Sequence, residues 1–207
     1  EQAVPFEGAW MLGDVVGLQP GNIVEYRVRA WDLKPQVGES EWRRLEVVTR
    51  DEFERRSSQR EAAFLETLRE AQRGEVRAAT QTREVADGAA GQVDTTKESG
   101  RVIERLQSIE LLQKNVRRLL SDEQSGLLAA LASWEESLEQ NNLRDSALAA
   151  RWREFRVALA PLAVEELPAI ERQLGHVVRT RREMPSEPVR DALQDVWQRQ
   201  EKVVAVL

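Results

Sequence analysis

The chain of 207 residues carries 36 acidic and 30 basic side chains, and its formal net charge of −6 argues against a general nucleic-acid binder with a basic face. It contains no Cys, which excludes disulfides, thiolate catalysis and cysteine metal sites. No apolar run approaches the ~20 residues that span a bilayer, and the regular recurrence of Leu, Val, Ile and Phe argues against a disordered chain.

The first 49 residues predict β structure. Polar and apolar side chains alternate along residues 22–31, which is typical of a strand with two different faces. A second strand is predicted over about 41–49, and the Pro and Gly of the loop at 34–38 favour a hairpin between the two. A turn at 18–21 leads into the first strand, and residues 9–16 are a weaker strand candidate.

One face of the first strand carries an aromatic side chain among charged ones. Trp31 shares this face with Arg27 and Arg29, opposite the apolar Val24. An aromatic ring on a polar strand face favours contact with another surface, and the alternative is that it packs on the first helix. Together with Trp42 of the second strand, these residues form a possible interaction surface: Trp31, Arg27, Arg29 and Trp42.

Residues 50–207 predict a series of amphipathic helices. Thr49 and Glu52 have the spacing of a capping box, in which the hydroxyl accepts from a free amide and the carboxylate reaches back. Apolar residues then recur at three- and four-residue spacing, as a helix seam requires. The predicted helices span about 50–87, 94–140, 144–183 and 187–207. The seam includes Phe64, Leu68, Ala71, Ala78, Val102, Ile109, Leu112, Val116, Leu119, Leu127, Leu131, Trp134, Leu138, Trp152, Phe155, Leu159, Ile170, Leu174, Leu193, Val196 and Val203.

Several segments predict breaks in these helices. The sequence at 121–124 is a possible cap inside the second helix, although the Asn pair at 141–142 is a stronger stop. Pro161 and Pro168 should kink or split the third helix, because each lacks an amide hydrogen and clashes with the preceding turn. The Pro-containing segment 184–188 ends it. Helices of similar length with short polar breaks favour antiparallel folding into a long, thin bundle.

The β region resembles the last strands of a fibronectin type III or immunoglobulin-like domain. The resemblance rests on the pattern Leu18-x-Pro20-Gly21-x-x-Val24-x-Tyr26-x-Val28-x-Ala30, followed by Gly38-x-Ser40. Val24 fills the position of the family's corner Tyr, with Tyr26 two residues later. Because such domains need about seven strands, the resemblance implies that further strands precede Glu1 or that a partner or the bundle covers the sheet edge. The absence of an initial Met fits a processed product or an excised fragment.

The predicted fold is therefore mainly α. Residues 1–49 form a short β-hairpin or a partial immunoglobulin-like sheet, and residues 50–207 form a long antiparallel helical bundle or coiled coil. An immunoglobulin-like module followed by a coiled coil is similar to large bacterial envelope proteins, and this similarity implies an extracytoplasmic location.

The sequence shows no pattern typical of catalysis. His176 is the single histidine and has no Cys or second His as a partner, so we interpret it as a helix-surface residue. The abundant carboxylates lack the Glu-x-x-His pairs of a two-metal site and favour solvated faces, as in Glu66 facing Arg69 and Arg73. Neither a Gly-rich phosphate loop nor a nucleophile elbow is present. We expect no enzyme activity, cofactor, metal or small-molecule substrate.

These observations favour a structural or scaffolding module that acts through a protein partner or self-association. The alternative is a regulatory or sensory module, in which the bundle relays movement from a β recognition domain. The Pro161 and Pro168 kinks and the shifted heptad phase between them are the features that permit such a relay.

Overall fold

The computed structural model describes residues 11–31, 37–88, 96–183 and 189–207. It confirms a mainly α chain of antiparallel helices preceded by short antiparallel β pairs. Contacts divide the chain into a unit ending at Glu61 and a unit starting at Ala62. Predictions that concern residues 1–10, 32–36, 94–95 and 184–188 fall outside the described residues.

The first unit contains an antiparallel ribbon. Its strands are β1 (Ile23–Tyr26), β2 (Arg29–Trp31), β3 (Val37–Glu39) and β4 (Arg43–Glu46), with β1 paired to β4 and β2 paired to β3. The predicted hairpin is confirmed. The prediction of one continuous strand over 22–31 is wrong, and the partner strand begins earlier than predicted, at Val37.

A bulge separates the two halves of the ribbon. Between them, the two residues at 27–28 face the three residues at 40–42. Ser40 bridges the gap, because its hydroxyl accepts from the Val28 amide at 2.9 Å and its own amide donates to the Val28 carbonyl at 2.9 Å. An unequal residue count of this kind interrupts the ladder and shifts its register.

The predicted turn before β1 is confirmed. Gly21 has a φ of +93°, a conformation that glycine adopts without a steric penalty, and Pro20 fixes the preceding φ. The Asn22 amide donates to the Gln19 carbonyl at 3.0 Å, and the Gly21 amide donates to Val47 at 2.7 Å. The weaker strand candidate is wrong over its described part, which contains a short 3-10 helix at Leu12–Asp14.

The first helix, α1 (Arg50–Gly88), begins at the predicted cap. The Thr49 hydroxyl accepts from the Glu52 amide at 3.1 Å. The Glu52 carboxylate does not reach back as a capping box requires; it accepts instead from Arg55 and Arg56, at 2.7 and 2.6 Å. Arg56 also binds both carboxylate oxygens of Glu46, so the first turns of α1 are tied to β4.

The second unit is the helical bundle. It contains α1 from Ala62 onward, α2 (Thr96–Ser121), α3 (Leu127–Gln140), α4 (Ala147–Pro161), α5 (Leu167–Glu183) and α6 (Arg190–Val206). The predicted stop at Asn141–Asn142 is confirmed, since α3 ends there and Asn142 takes a positive φ of 55°. None of the described helices is long and apolar enough to cross a bilayer.

The helix predicted over 94–140 is divided in two at the possible cap that the sequence contains at 121–124, so α2 ends at Ser121 and α3 begins at Leu127. The Asp122 carboxylate accepts from the Ser125 amide at 2.8 Å and from the Gln124 amide at 3.1 Å, and these hydrogen bonds lower the pKa of Asp122. A side chain at Gly126 would begin 2.6 Å from the Asp122 backbone. The break therefore depends on a local carboxylate cap and on a glycine that admits a close backbone approach.

The third predicted helix continues past its two prolines, but it is not a regular α-helix between them. A π-helical turn, Leu162–Glu166, connects α4 to α5 between Pro161 and Pro168. The Leu167 amide donates to the Leu162 carbonyl, five residues earlier. The wider turn accommodates residues whose missing amides would leave gaps in a regular ladder.

The core of the bundle follows the predicted seams closely in α3 and α5 and less closely in α2. All four predicted seam residues of α3 are buried. In α2, Ile109 and Val116 are buried as predicted, while Leu112 and Leu119 are only half-buried. The fully buried positions of α2 are Leu106, Ile109, Gln113, Val116 and Leu120.

Candidate functional site

The predicted interaction residues lie together on one side of the β ribbon. Arg29 is directly opposite Glu39 and Trp31 is directly opposite Val37, so these four side chains share a face of the β2–β3 pair. The Arg29 Nε atom lies 2.6 Å from a carboxylate oxygen of Glu39. Arg27 also forms an ion pair with Glu39, which places it beside the same face.

Trp42 joins this group through Arg27. The Arg27 guanidinium lies over the Trp42 ring, 4.8 Å from its centroid, in a cation–π contact. We call the surface formed by Arg27, Arg29, Trp31 and Trp42 the Trp–Arg face. Its two rings are 72% exposed at Trp31 and 62% exposed at Trp42. Both rings therefore present most of their area to solvent.

The described residues of the ribbon form no buried core. Among the described residues before Glu61, the apolar side chains are at most half-buried, including those of Val24 and Leu45. Local bonds therefore hold the Trp–Arg face in position: the ladder, the Ser40 bridge and the shared ion pairs of Glu39. The surface is preorganised by polar contacts and leaves its aromatic area open.

The bundle contains a second arrangement that the sequence reasoning missed. Glu75 of α1, Gln113 of α2 and Gln200 of α6 are completely buried and form one hydrogen-bonded chain, the polar layer. Gln113 Nε2 donates to Glu75 Oε2 at 2.9 Å, and Gln200 Nε2 donates to Gln113 Oε1 at 3.0 Å. Burial raises the pKa of the Glu75 carboxyl to about 7, against a smaller lowering by the Gln113 hydrogen bond.

The sequence does contain a signal for the polar layer. Each of the three residues has an apolar seam residue four positions before it and three positions after it. The brackets are Ala71 and Ala78, Ile109 and Val116, and Val196 and Val203. A polar residue that takes a seam position in three helices predicts buried polar groups that need one another as partners.

Aromatic side chains fill another level of the bundle core. Phe64 of α1 lies 5.7 Å from Trp134 of α3 and 5.3 Å from Trp152 of α4, measured between ring centroids. The Trp134 and Trp152 rings are 4.0 Å apart in an edge arrangement. The seam position predicted for these tryptophans is confirmed, and their role here is packing.

Grooves on the described surface of the bundle carry charged side chains. A cavity of about 460 Å³ between α3 and α4 contains Arg156, which pairs with Glu135, and Arg144, which lies 3.6 Å from Glu139. A cavity of about 430 Å³ between α5 and α6 is lined in part by His176, which is exposed as predicted. Within the described part of the chain, no group of three or more His, Asp or Glu residues is placed to hold a metal ion.

The predicted ion pairing on the outer face of α1 is confirmed. Glu66 lies 3.5 Å from Arg69 and 2.8 Å from Arg73. Glu66 therefore belongs to a solvated charged face, as the spacing predicted.

Comparisons of the chain with models of protein families, with curated proteins and with solved structures found no match.

Proposed function

We propose that the chain is a structural or scaffolding module that acts through protein–protein contacts, and that the Trp–Arg face is its contact surface for a protein partner. The observation that carries the proposal is the exposure of Trp31 and Trp42, at 72% and 62%, beside two arginines held in fixed positions. Trp and Arg are the residue types that contribute most to binding energy at protein interfaces.

The chemistry of the face favours a partner with an apolar pocket flanked by a carboxylate. Each exposed ring has an apolar surface in contact with water, and burying that surface against a partner is favourable. Arg27 and Arg29 share the single carboxylate of Glu39, which leaves an excess positive charge on the face. An acidic group at the rim of a partner's pocket would complement this charge.

Site-specific photo-crosslinking in cells of the source organism tests the proposal. A photoreactive residue at position 31 should give a discrete protein adduct, and Trp42→Ala should reduce its yield several-fold because it removes the ring beside Arg27. The same photoreactive residue at the exposed Ser58 of α1 is the matched control. Equal adduct patterns from positions 31 and 58 would contradict the proposal.

The ribbon also supports an envelope location for this module. Its turn and strand pattern resembles the last strands of a fibronectin type III or immunoglobulin-like domain, and within the described residues β1 to β4 pair only in twos. Such a short ribbon has open edges, which proteins cover with further strands or with a partner. Fractionation of cells that express the natural gene should recover the protein outside the cytoplasm, and recovery with a cytoplasmic marker would refute this part of the proposal.

A regulatory or sensory role is the second candidate, and the π-helical turn between Pro161 and Pro168 favours it. Turns of this kind are frequent at functional sites, because the irregular ladder is less uniform than the helix around it. A relay predicts that adduct formation at the Trp–Arg face changes hydrogen exchange at 162–166. Exchange rates that stay constant in that segment would leave the scaffold role as the better account.

The surroundings of the charged side chains in the bundle argue for a non-catalytic module. In the groove between α3 and α4, Arg156 pairs with Glu135, and the carboxyl of Glu75, whose pKa is raised, is completely buried away from any substrate. A screen with generic ester, phosphate, peptide and glycoside substrates should give no turnover above buffer. Turnover that is lost on changing a groove residue such as Arg156 would overturn this expectation.

A further inference from the structure

If Glu75 is ionised, the polar layer lacks a hydrogen-bond donor. Gln113 uses its amide group on Glu75 and its carbonyl oxygen on Gln200, so it is satisfied in both directions. The oxygens left without a partner are Glu75 Oε1 and Gln200 Oε1, both of which are fully shielded from water. An ionised carboxylate can only accept hydrogen bonds, whereas a neutral carboxylic acid adds an O–H donor to the layer.

Within the part of the chain that the structure describes, no basic side chain forms an ion pair with Glu75. Among the described residues, its carboxyl accepts a hydrogen bond from the neutral amide of Gln113, and burial raises its pKa. A carboxylate in such a site loses its hydration without gaining a counter-ion, and it therefore favours the protonated form.

Several charged side chains near this level of the bundle bind other partners. On α1, Arg73 binds Glu66, and on α2, Lys114 binds Glu110. The remaining pairs are Arg117 of α2 with Glu171 of α5, Arg199 of α6 with Glu166 of the π turn, and Glu201 with the Trp197 indole of the same helix. None of these charges contributes to the raised pKa of Glu75.

We propose that Glu75 is the neutral acid in the packed bundle, and that its ionisation loosens α6, so that the packing of this helix is controlled by protonation. The helix affected is α6 because Gln200 is the end of the hydrogen-bonded chain. By contrast, α1 and α2 approach closely beside the layer, where a side chain at Gly74 would begin 2.9 Å from Val116 Cγ2. Opening α6 admits water to the layer, while the α1–α2 contact stays closed.

The sign of the effect follows from the direction of the pKa change. A carboxyl whose pKa is raised from 4.5 to about 7 stabilises the packed state fully below pH 4.5 and progressively less as the pH rises to 7. Linkage to a single proton limits the change in the opening equilibrium to about tenfold per pH unit in this window. Above pH 7 the dependence levels off.

Native-state hydrogen exchange of the full chain, corrected for intrinsic exchange, tests the proposal. The protection of α6 amides should fall up to tenfold per pH unit between pH 5 and 7 in the wild type. Glu75→Gln keeps the shape of the side chain, supplies a donor at every pH, and should abolish this dependence while α6 remains protected. Glu70→Gln, an exposed position on the same helix, is the matched control and should behave as the wild type.

A second measurement keeps the test valid if Glu75→Gln does not fold. Carbon-13 NMR of the wild-type glutamate carboxyls should show one resonance that titrates near pH 7, apart from the exposed carboxyls. The proposal is overturned if Glu75 titrates near 4.5, or if the pH dependence of α6 protection persists in Glu75→Gln. Neither outcome depends on a partner for the Trp–Arg face, so this inference stands or falls separately from the proposed function.

Discussion

The β ribbon and the helical bundle use the same residue types in opposite ways. In the bundle, Trp134 and Trp152 are packed against each other in the core, whereas in the ribbon Trp31 and Trp42 are mostly exposed. The carboxylates differ in the same way: Glu75 is buried without a cation beside it, whereas the half-buried Glu52 near the start of α1 accepts hydrogen bonds from two arginines. The bundle is therefore stabilised by burial, and the ribbon by its ladder and by charge pairing.

The largest expected loss of stability comes from a substitution in the aromatic core of the bundle. Trp152→Ala removes a ring that contacts Phe64, Trp134 and Phe155, and the neighbouring helices cannot fully close the resulting cavity. We expect the free energy of unfolding to fall by about 3–5 kcal/mol. Urea denaturation followed by circular dichroism measures the loss, and a fall below about 1 kcal/mol would show that the cluster is not packed as described.

The second expected effect is the pH dependence of the bundle. Because the pKa of Glu75 is raised from 4.5 to about 7, the unfolding free energy should decline by about 3 kcal/mol from pH 4.5 to pH 7. The decline is specific to this carboxyl, so Glu75→Gln should flatten the curve in that window. Parallel denaturation series of the two proteins give the comparison, and parallel curves would contradict the assignment.

The seams show how much of the bundle the sequence determines. Leu127, Leu131, Trp134 and Leu138 are all buried as their spacing predicts, because a helix that buries one stripe has few other ways to do so. In α2 the spacing allowed two neighbouring stripes, and tertiary contacts selected the one that contains Gln113. A search for apolar periodicity alone therefore does not identify Gln113, the polar residue at the centre of the layer.

The Trp–Arg face was predictable as a set of residues but not as a geometry. Alternation along 22–31 placed Arg27, Arg29 and Trp31 on one side. The bulge at 40–42, which the sequence did not indicate, shifts the register and accompanies the stacking of Trp42 on Arg27. Likewise, the break at 122–126 depends on one carboxylate and one glycine that act together, which a test of periodicity does not detect.

The third expected effect concerns the close approach of α1 and α2. Gly74→Ala would place a methyl group 2.9 Å from Val116 Cγ2, so the helices or the valine must shift. We expect a loss of about 1–3 kcal/mol in the free energy of unfolding, as overpacked cores typically show. Val116→Ala in the same chain should recover part of the loss by making room. If the double variant is no more stable than the sum of the single changes predicts, the two positions do not meet.

The fourth expected effect is smaller and opposite in sign to that of Glu75. Hydrogen bonds from Arg55 and Arg56 lower the pKa of Glu52 from 4.5 to about 2. Its contribution is therefore present above pH 4.5 and is lost as the pH falls toward 2. Hydrogen exchange in the first turns of α1 should accelerate in that acidic window, while Glu52→Gln should remove the dependence. Glu54→Gln, which changes an exposed carboxylate two residues along the helix, is the control.

The smallest expected effect on stability is at the ribbon surface. Trp31→Ser should change the free energy of unfolding by less than about 0.5 kcal/mol, because a ring that is 72% exposed loses little packing when it is removed. The same substitution should greatly reduce crosslinking from a photoreactive residue at position 42, since the Trp–Arg face would lose half of its aromatic area. A large loss of stability would instead show that Trp31 holds the ribbon together. The two measurements distinguish the two regions: substituting a core residue such as Trp152 lowers the free energy of unfolding, whereas substituting a residue that serves binding lowers the crosslinking yield alone.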